Sequence, residues 1–177
     1  MSLQIRRLTL ADAPAYREAR LAALRADPAA FVTTAEQFAA WPLERLAVRL
    51  APGAPGVTFG AFLSGELVGL LTLMREESPA QAHRVNVFSV SVAPAARGQG
   101  VGVGLVRAAI DHARTWPGVT SLHLTVTDTQ HAARRLYERC GFRVWGTQPD
   151  ALRRDGQVYE EHWMWLAVGR ESSGQEI

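Results

Sequence analysis

Apolar and polar positions along this chain repeat with period two in some stretches and near 3.6 in others, and the switches between them mark its elements. Gln4 to Leu8 reads as a short strand. Thr9 stands three residues before Asp12, which predicts a helix start with the Thr9 hydroxyl accepting an orphan N–H. From Ala11 to Arg25 the residues Tyr16, Ala19, Leu21, Ala23 and Leu24 make one apolar side of a helix. Pro14 lies near its start, where proline is tolerated, and Asp27-Pro28 stops it. A second helical stretch, Thr34 to Leu50, is interrupted at Trp41-Pro42, and Leu43, Leu46, Ala47 and Leu50 keep the helical spacing beyond that point.

The pattern then turns to strands. Val57 to Leu63 and Leu67 to Arg75 flank Ser64-Gly65-Glu66, which predicts a hairpin with a three-residue turn. Val85 to Val92 is apolar and β-branched, as a central strand should be, and Pro94 ends it. Gly100 to Thr115 is a helix whose buried side is Val101, Leu105, Val106, Ala109, Ile110 and Ala113. Ser121 to Thr127 alternates as a strand, and Ala132 to Arg139 is a helix stopped by Cys140-Gly141. Phe142 to Thr147 and Gln157 to Val168 read as two more strands, joined by a loop holding Pro149 and Asp155-Gly156. The order β-α-α-β-β-β-α-β-α-β-β implies a mixed sheet with helices on its faces, an α/β (α+β) class. No repeat or linker interrupts it, so residues 1–168 are expected to form one domain and 169–177 a polar C-terminal tail.

Composition narrows the function classes. The 177 residues fit one domain that buries on the order of 70% of its unfolded surface. The single cysteine, Cys140, rules out an internal disulfide framework and a paired-cysteine zinc site. No apolar run approaches a membrane span, and the first residues lack the apolar core of a signal peptide, so the expectation is a soluble, cytoplasmic protein with no membrane partner. The net charge is only +2, and the basic residues are scattered among acids, which argues against a nucleic-acid partner. All 19 basic residues are arginines.

The stretch that carries chemistry is Val90 to Gly104: a strand, a short loop, a glycine cluster, then a helix. Unsatisfied N–H groups at a helix N-terminus, aided by the helix dipole, hold anions. Glycines at 98, 100 and 102 remove side chains that would block close approach, and Arg97 adds a positive charge. The reading is a phosphate or pyrophosphate site. A P-loop is impossible because the chain has no lysine. The dinucleotide fingerprint G-x-G-x-x-G fails too, since Val103 and Leu105 stand where its third glycine would be.

Arg97-Gly98-Gln99-Gly100-Val101-Gly102 resembles the R-x-x-G-x-G/A acetyl-CoA signature of the GNAT superfamily of N-acetyltransferases. Val90-Ser91-Val92-Ala93-Pro94 resembles that family's splayed fourth strand. In Gln130 to Phe142, the residues Ala133, Leu136, Tyr137, Gly141 and Phe142 are similar to its N-x-x-A-x-x-L-Y-x-x-x-G-F helix. The resemblance implies a mostly antiparallel seven-stranded sheet flanked by about four helices and splayed between the fourth and fifth strands. It implies acetyl-CoA as cosubstrate and no metal.

It also implies roles. Backbone N–H groups of Arg97, Gly98, Gln99, Gly100, Val101 and Gly102 would hold the CoA pyrophosphate. Val90, Ser91 and Val92 would face the pantetheine arm, with the Val92 N–H as a backbone oxyanion donor. Tyr137 would contact the cofactor and protonate the departing thiolate as general acid. Gln130 stands where the family has asparagine. Asn86 and Phe88 occupy the strand positions where many relatives place a general base, and neither can take a proton. Glu160, Glu161, His162, Glu36 and His83 are the other candidates. The acceptor expected from the resemblance is the amine of a small molecule, with specificity in Ala26 to Gly56 and Gln148 to Gln157. A protein N-terminus or lysine, or a non-catalytic CoA-binding module, are the alternatives. An open trough would favour a peptide, and a closed, acidic or aromatic-lined pocket a small amine. A homodimer through the last strands is plausible on family grounds.

Overall fold

Alternation decides which residues of each strand meet which helix layer, and two separate cores result. In a computed structural model that describes residues 2–169, seven strands form one sheet in the order β1-β2-β3-β4-β5-β7-β6. They are β1 (Leu3–Arg7), β2 (Gly56–Leu63), β3 (Glu66–Arg75), β4 (Arg84–Val92), β5 (Ser121–Thr127), β6 (Arg143–Arg154) and β7 (Gln157–Ala167). Five helices flank the sheet: α1 (Ala13–Ala26), α2 (Ala35–Ala39), α3 (Leu43–Leu50), α4 (Val101–Ala113) and α5 (His131–Arg139). On one face Val101, Leu105, Val106, Ala109 and Ala113 of α4 pack on Leu71, Leu73, Val85, Val87, Leu122 and Leu124. On the other, Tyr16, Leu21 and Leu24 of α1 with Leu46 and Leu50 of α3 cover Leu8, Phe62 and Leu70. Each such side chain contributes roughly 1.5–3 kcal/mol of burial, an upper figure because unfolded chains are already partly collapsed.

All neighbouring strands are antiparallel except β4 with β5. That parallel pair is held only where Arg84, Val85 and Asn86 meet Ser121, Leu122 and His123. Beyond it the two strands run on without pairing each other, which is the splay the resemblance implies. A bulge accompanies the separation. Thr72 pairs with Phe88 and Leu70 with Ser91, so two residues of β4 oppose one of β3, and Ser89 has φ of 57°. A bulge bends the strand that carries it.

Two local expectations need correction. The β2–β3 turn has two residues, with Leu63 opposite Glu66 and positive φ at both Ser64 (50°) and Gly65 (85°), the backbone that suits the sheet's twist. The segment from Gln148 to Gln157 is mostly strand: β6 runs on to Arg154, and only Asp155-Gly156 turns the chain. Pro149 misled the reading because it lacks an N–H. Here it sits where the β6–β7 ladder skips between Gln148 and Leu152, so no ladder bond is lost. Thr9 and Asp12 form the expected capping box, and the Thr9 hydroxyl also donates to the Asp12 carboxylate (3.0 Å) while the Asp12 N–H reaches the Thr9 carbonyl (2.9 Å). Residues 170–177 of the expected tail lie outside the described residues.

Asp12 is the keystone of this corner. Its carboxylate also accepts the Thr9 N–H (2.8 Å) and two Arg6 nitrogens (2.7 and 2.8 Å). The Arg6 hydrogen bond, above all, holds it well below the usual carboxylate range. Asp12→Ala should cost about 1–2 kcal/mol, toward the low end because Arg6 is screened by solvent, and should lower Tm accordingly. The wild-type advantage exists above an ordinary aspartate pKa of about 4 and is lost as pH falls toward the depressed value. Melting curves of the two proteins should therefore converge in strong acid.

Candidate functional site

Where β4 and β5 part, the structure opens into a cavity of about 1260 Å³. The predicted residues Val90, Ser91, Val92, Arg97, Gly98, Gly100, Val101, Gly102, Gln130 and Tyr137 all line it. Gln99 does not. Its side-chain amide turns back to donate to the Ala95 carbonyl (2.9 Å), which ties the turn down.

The glycines divide by role. Gly98 and Gly100 have φ of 76° and 79°, and a Cβ on either would meet nothing within 4 Å. Gly100 is the N-cap of α4, and the Gly104 N–H makes the helix bond back to its carbonyl (2.9 Å). The N–H groups of Val101, Gly102 and Val103 precede that bond and have no helical partner. Left-handed glycines, space beside them and orphan donors at the positive end of a 13-residue helix fit a pyrophosphate. Gly102 serves packing instead, since a Cβ there would come within 2.4 Å of Leu136 Cδ1. Its bareness lets α5 sit close to α4.

Arg97 is less free than its place in the signature implies. Its Nη2 donates to Asp27 Oδ2 (2.5 Å) and its Nε to the Val92 carbonyl (3.2 Å). The side chain straps the end of β4 to the end of α1, which leaves backbone N–H groups as the chief donors the turn offers an anion.

The free edge of β4 follows from strand alternation. The Ala93 N–H donates to the Val68 carbonyl on the β3 side (2.8 Å). Neighbouring N–H groups point to opposite edges, so Val92 and Val90 direct theirs to the side that β5 has left. Tyr137 reaches the cavity from α5. It is 5% exposed, packs edge-on to Phe142 at 6.0 Å, and among the described residues its hydroxyl has no hydrogen-bond partner. Burial raises its phenol well above the ordinary value, so it keeps its proton across the neutral range. Gln130 is the N-cap of α5 and makes no side-chain cap bond.

Of the candidate bases, only Glu161 lines the cavity. It lies opposite Thr127, and Trp163 opposite Thr125, on the sheet face shared with His123. Burial pushes its carboxyl above the ordinary value, with Thr125 opposing. His162 points to the other face, sharing hydrogen bonds with Arg134 (3.3 Å) and Thr147 (2.9 Å). Glu36 is exposed, and a hydrogen bond from its own N–H lowers its pKa, which weakens it as a base. His83 is exposed and outside the cavity. Asn86 donates to Glu76 Oε1 (2.7 Å), and Phe88 is 48% exposed.

Sequence reasoning missed Glu76, His123, Arg20 and Arg49, all of which line the cavity. For Arg20 a signal existed: it interrupts the buried stripe Ala13, Tyr16, Leu21 and Leu24 of α1. No helix among the described residues is long and apolar enough to cross a membrane.

A family model described as "Acetyltransferase (GNAT) family" matches residues 16–142. The L-amino acid N-acetyltransferase AaaT of Escherichia coli (strain K12) is 31% identical over 121 residues, 68% of this chain and 72% of that protein. Among solved structures, a GNAT-family acetyltransferase from Streptococcus pneumoniae superimposes with a TM-score of 0.85 at 22% identity, covering 95% of this chain and 100% of that one. The acetyltransferase yncA from Salmonella typhimurium, solved with acetyl-CoA, gives a TM-score of 0.75 at 22% identity over the whole of both chains.

Proposed function

The chain belongs to the GNAT acetyltransferase family, and on that premise we propose that it passes the acetyl group of acetyl-CoA directly to the primary amine of a small molecule. The observation that carries the reading is one cavity shared by the glycine turn, the free edge of β4, Tyr137 and Glu161. The cosubstrate supplies an acyl group already activated as a thioester.

The protein's own groups do the rest. N–H groups at the start of α4 hold the pyrophosphate. The Val92 N–H stabilises the carbonyl oxygen as it gains charge. Glu161 accepts the ammonium proton, directly or through water, and the neutral amine then forms the nitrogen–carbon bond. Tyr137 delivers a proton to sulfur as the carbon–sulfur bond breaks.

The roof of the cavity supports a small acceptor. Arg154 of β6 donates to the Phe31 and Val32 carbonyls (2.7 and 3.3 Å), and Thr127 to the Ala29 carbonyl (3.0 Å). The last hairpin is thereby tied across the loop after α1, over walls that include Phe31, Phe38 and Trp41. A peptide would need that roof swung aside. The relative named for L-amino acids points the same way.

A panel of small amines and of peptides, read by CoA thiol release, tests this. Release with small amines and little with peptides is expected, and a preference for peptides would overturn it. Glu161→Gln should lower turnover about a hundredfold or more near neutral pH. The deficit should shrink as pH rises toward the acceptor's own pKa, because an amine that arrives neutral needs no base. A deficit that does not change with pH would remove Glu161 from this role.

A further inference from the structure

Arg20 is the odd residue of the acceptor side. It is 6% exposed, its Nη1 is buried with no hydrogen-bond partner among the described residues, and it lines the cavity. Its guanidinium lies 4.2 Å from the centre of the Phe31 ring. An arginine stays charged even when buried, and a buried charge without a partner is costly. The acids of the cavity wall do not relieve it. Asp27 is engaged by Arg97, Glu76 accepts from Asn86, and Glu161 accepts from Thr125. Among groups acting on Arg20, burial dominates in lowering its pKa, and Arg49 adds a second positive charge. A cation left unbalanced in an aromatic pocket is complementary to an anion that arrives with a ligand.

We propose that the acceptor is an amine bearing a carboxylate, as an α-amino acid does, and that Arg20 holds this carboxylate with Arg49 at the cavity wall. The proposal rests on the small-amine reading and names its substrate class. The guanidinium fork matches a carboxylate in two parallel hydrogen bonds. The phosphates of the cosubstrate are a separate matter. Arg20 and Asp27 are seven residues apart on one side of α1, roughly 10 Å along its axis, and it is Asp27 that meets the glycine-turn end through Arg97.

Binding and transfer should be measured separately. In the first arm, N-acetylated amino acids and their N-acetylated carboxamides are titrated into the CoA-loaded protein by calorimetry, across the common side chains. The acids that bind best should do so at least tenfold more tightly than their amides, and Arg20→Gln should erase the difference. Equal binding of acids and amides by the wild type would overturn the proposal, and this comparison stands even if the variant does not fold. An equal loss for both forms in Arg20→Gln would overturn it as well, since it would mark Arg20 as a packing residue.

In the second arm, CoA release is read with amino acids beside their amides, and a carboxylate preference of about ten- to a hundredfold in kcat/KM is expected. If the acids bind selectively but no amine is acetylated, the carboxylate site stands and the transfer reading falls. If neutral amines are acetylated as fast as their acids, transfer stands and the carboxylate site falls.

Discussion

A Gly100→Val variant should lose calorimetrically detectable acetyl-CoA binding, a fall of at least about 100-fold. Two effects combine. Gly100 has φ of 79°, and a β-branched residue held there stores on the order of 1–3 kcal/mol of strain. If the backbone relaxes to relieve it, the N–H groups of Val101 to Val103 turn away from the point on which they converge. Each hydrogen bond to a charged group so lost is worth about 1.5–3 kcal/mol. If the backbone holds, the new side chain projects into the open space beside the turn, where a Cβ meets nothing within 4 Å and the pyrophosphate would sit. Either outcome removes several kcal/mol, and every 1.4 kcal/mol is tenfold in affinity. The fold should survive, because the core contacts of α4 come from Val101, Leu105, Val106, Ala109 and Ala113. Retained affinity in a folded variant would sink the phosphate cradle.

Tyr137→Phe should leave acetyl-CoA affinity nearly unchanged and lower turnover about 10²- to 10⁴-fold, the range for a positioned proton donor. The substitution is clean. Among the described residues the hydroxyl has no partner to orphan, and the ring keeps its contact with Phe142. Because burial raises the phenol, no loss of activity from Tyr137 ionisation is expected near neutral pH, and any basic limb there belongs to another group. Single-turnover kinetics with saturating acetyl-CoA would check the step directly. Turnover equal to wild type would take Tyr137 out of the mechanism.

Much of the frame was legible because its causes are local. Periodicity placed the strands and helices to within a few residues, except for the second half of β6. The left-handed glycines before α4 and the short helix carrying Tyr137 announced themselves by spacing, since an anion cradle and a helix face are each built from consecutive residues. The resemblance of two such motifs to one family led to the fold, which seven strands with a single short parallel contact then display.

What stayed hidden depends on residues far apart in the chain. The signature arginine looks free until Asp27, 70 residues away, is seen to take its charge. The missing side chain of Gly102 reads as room for the anion until Leu136 is found where its Cβ would be. The base could not be chosen from five candidates, because strand parity means nothing until a neighbour sets which face looks into the cleft. Register with Thr127 put Glu161 there, and the opposite parity turned His162 away. Arg20 was one arginine among many, until burial without a partner made it the charge in need of an anion. The chain alone therefore determined the family and the cosubstrate, whose chemistry is written in short spacings, and pointed to Tyr137 as the acid we propose. Only tertiary structure singled out Glu161 and Arg20 for the roles we propose, because burial, pairing and facing belong to sets of residues that meet only when the sheet is assembled.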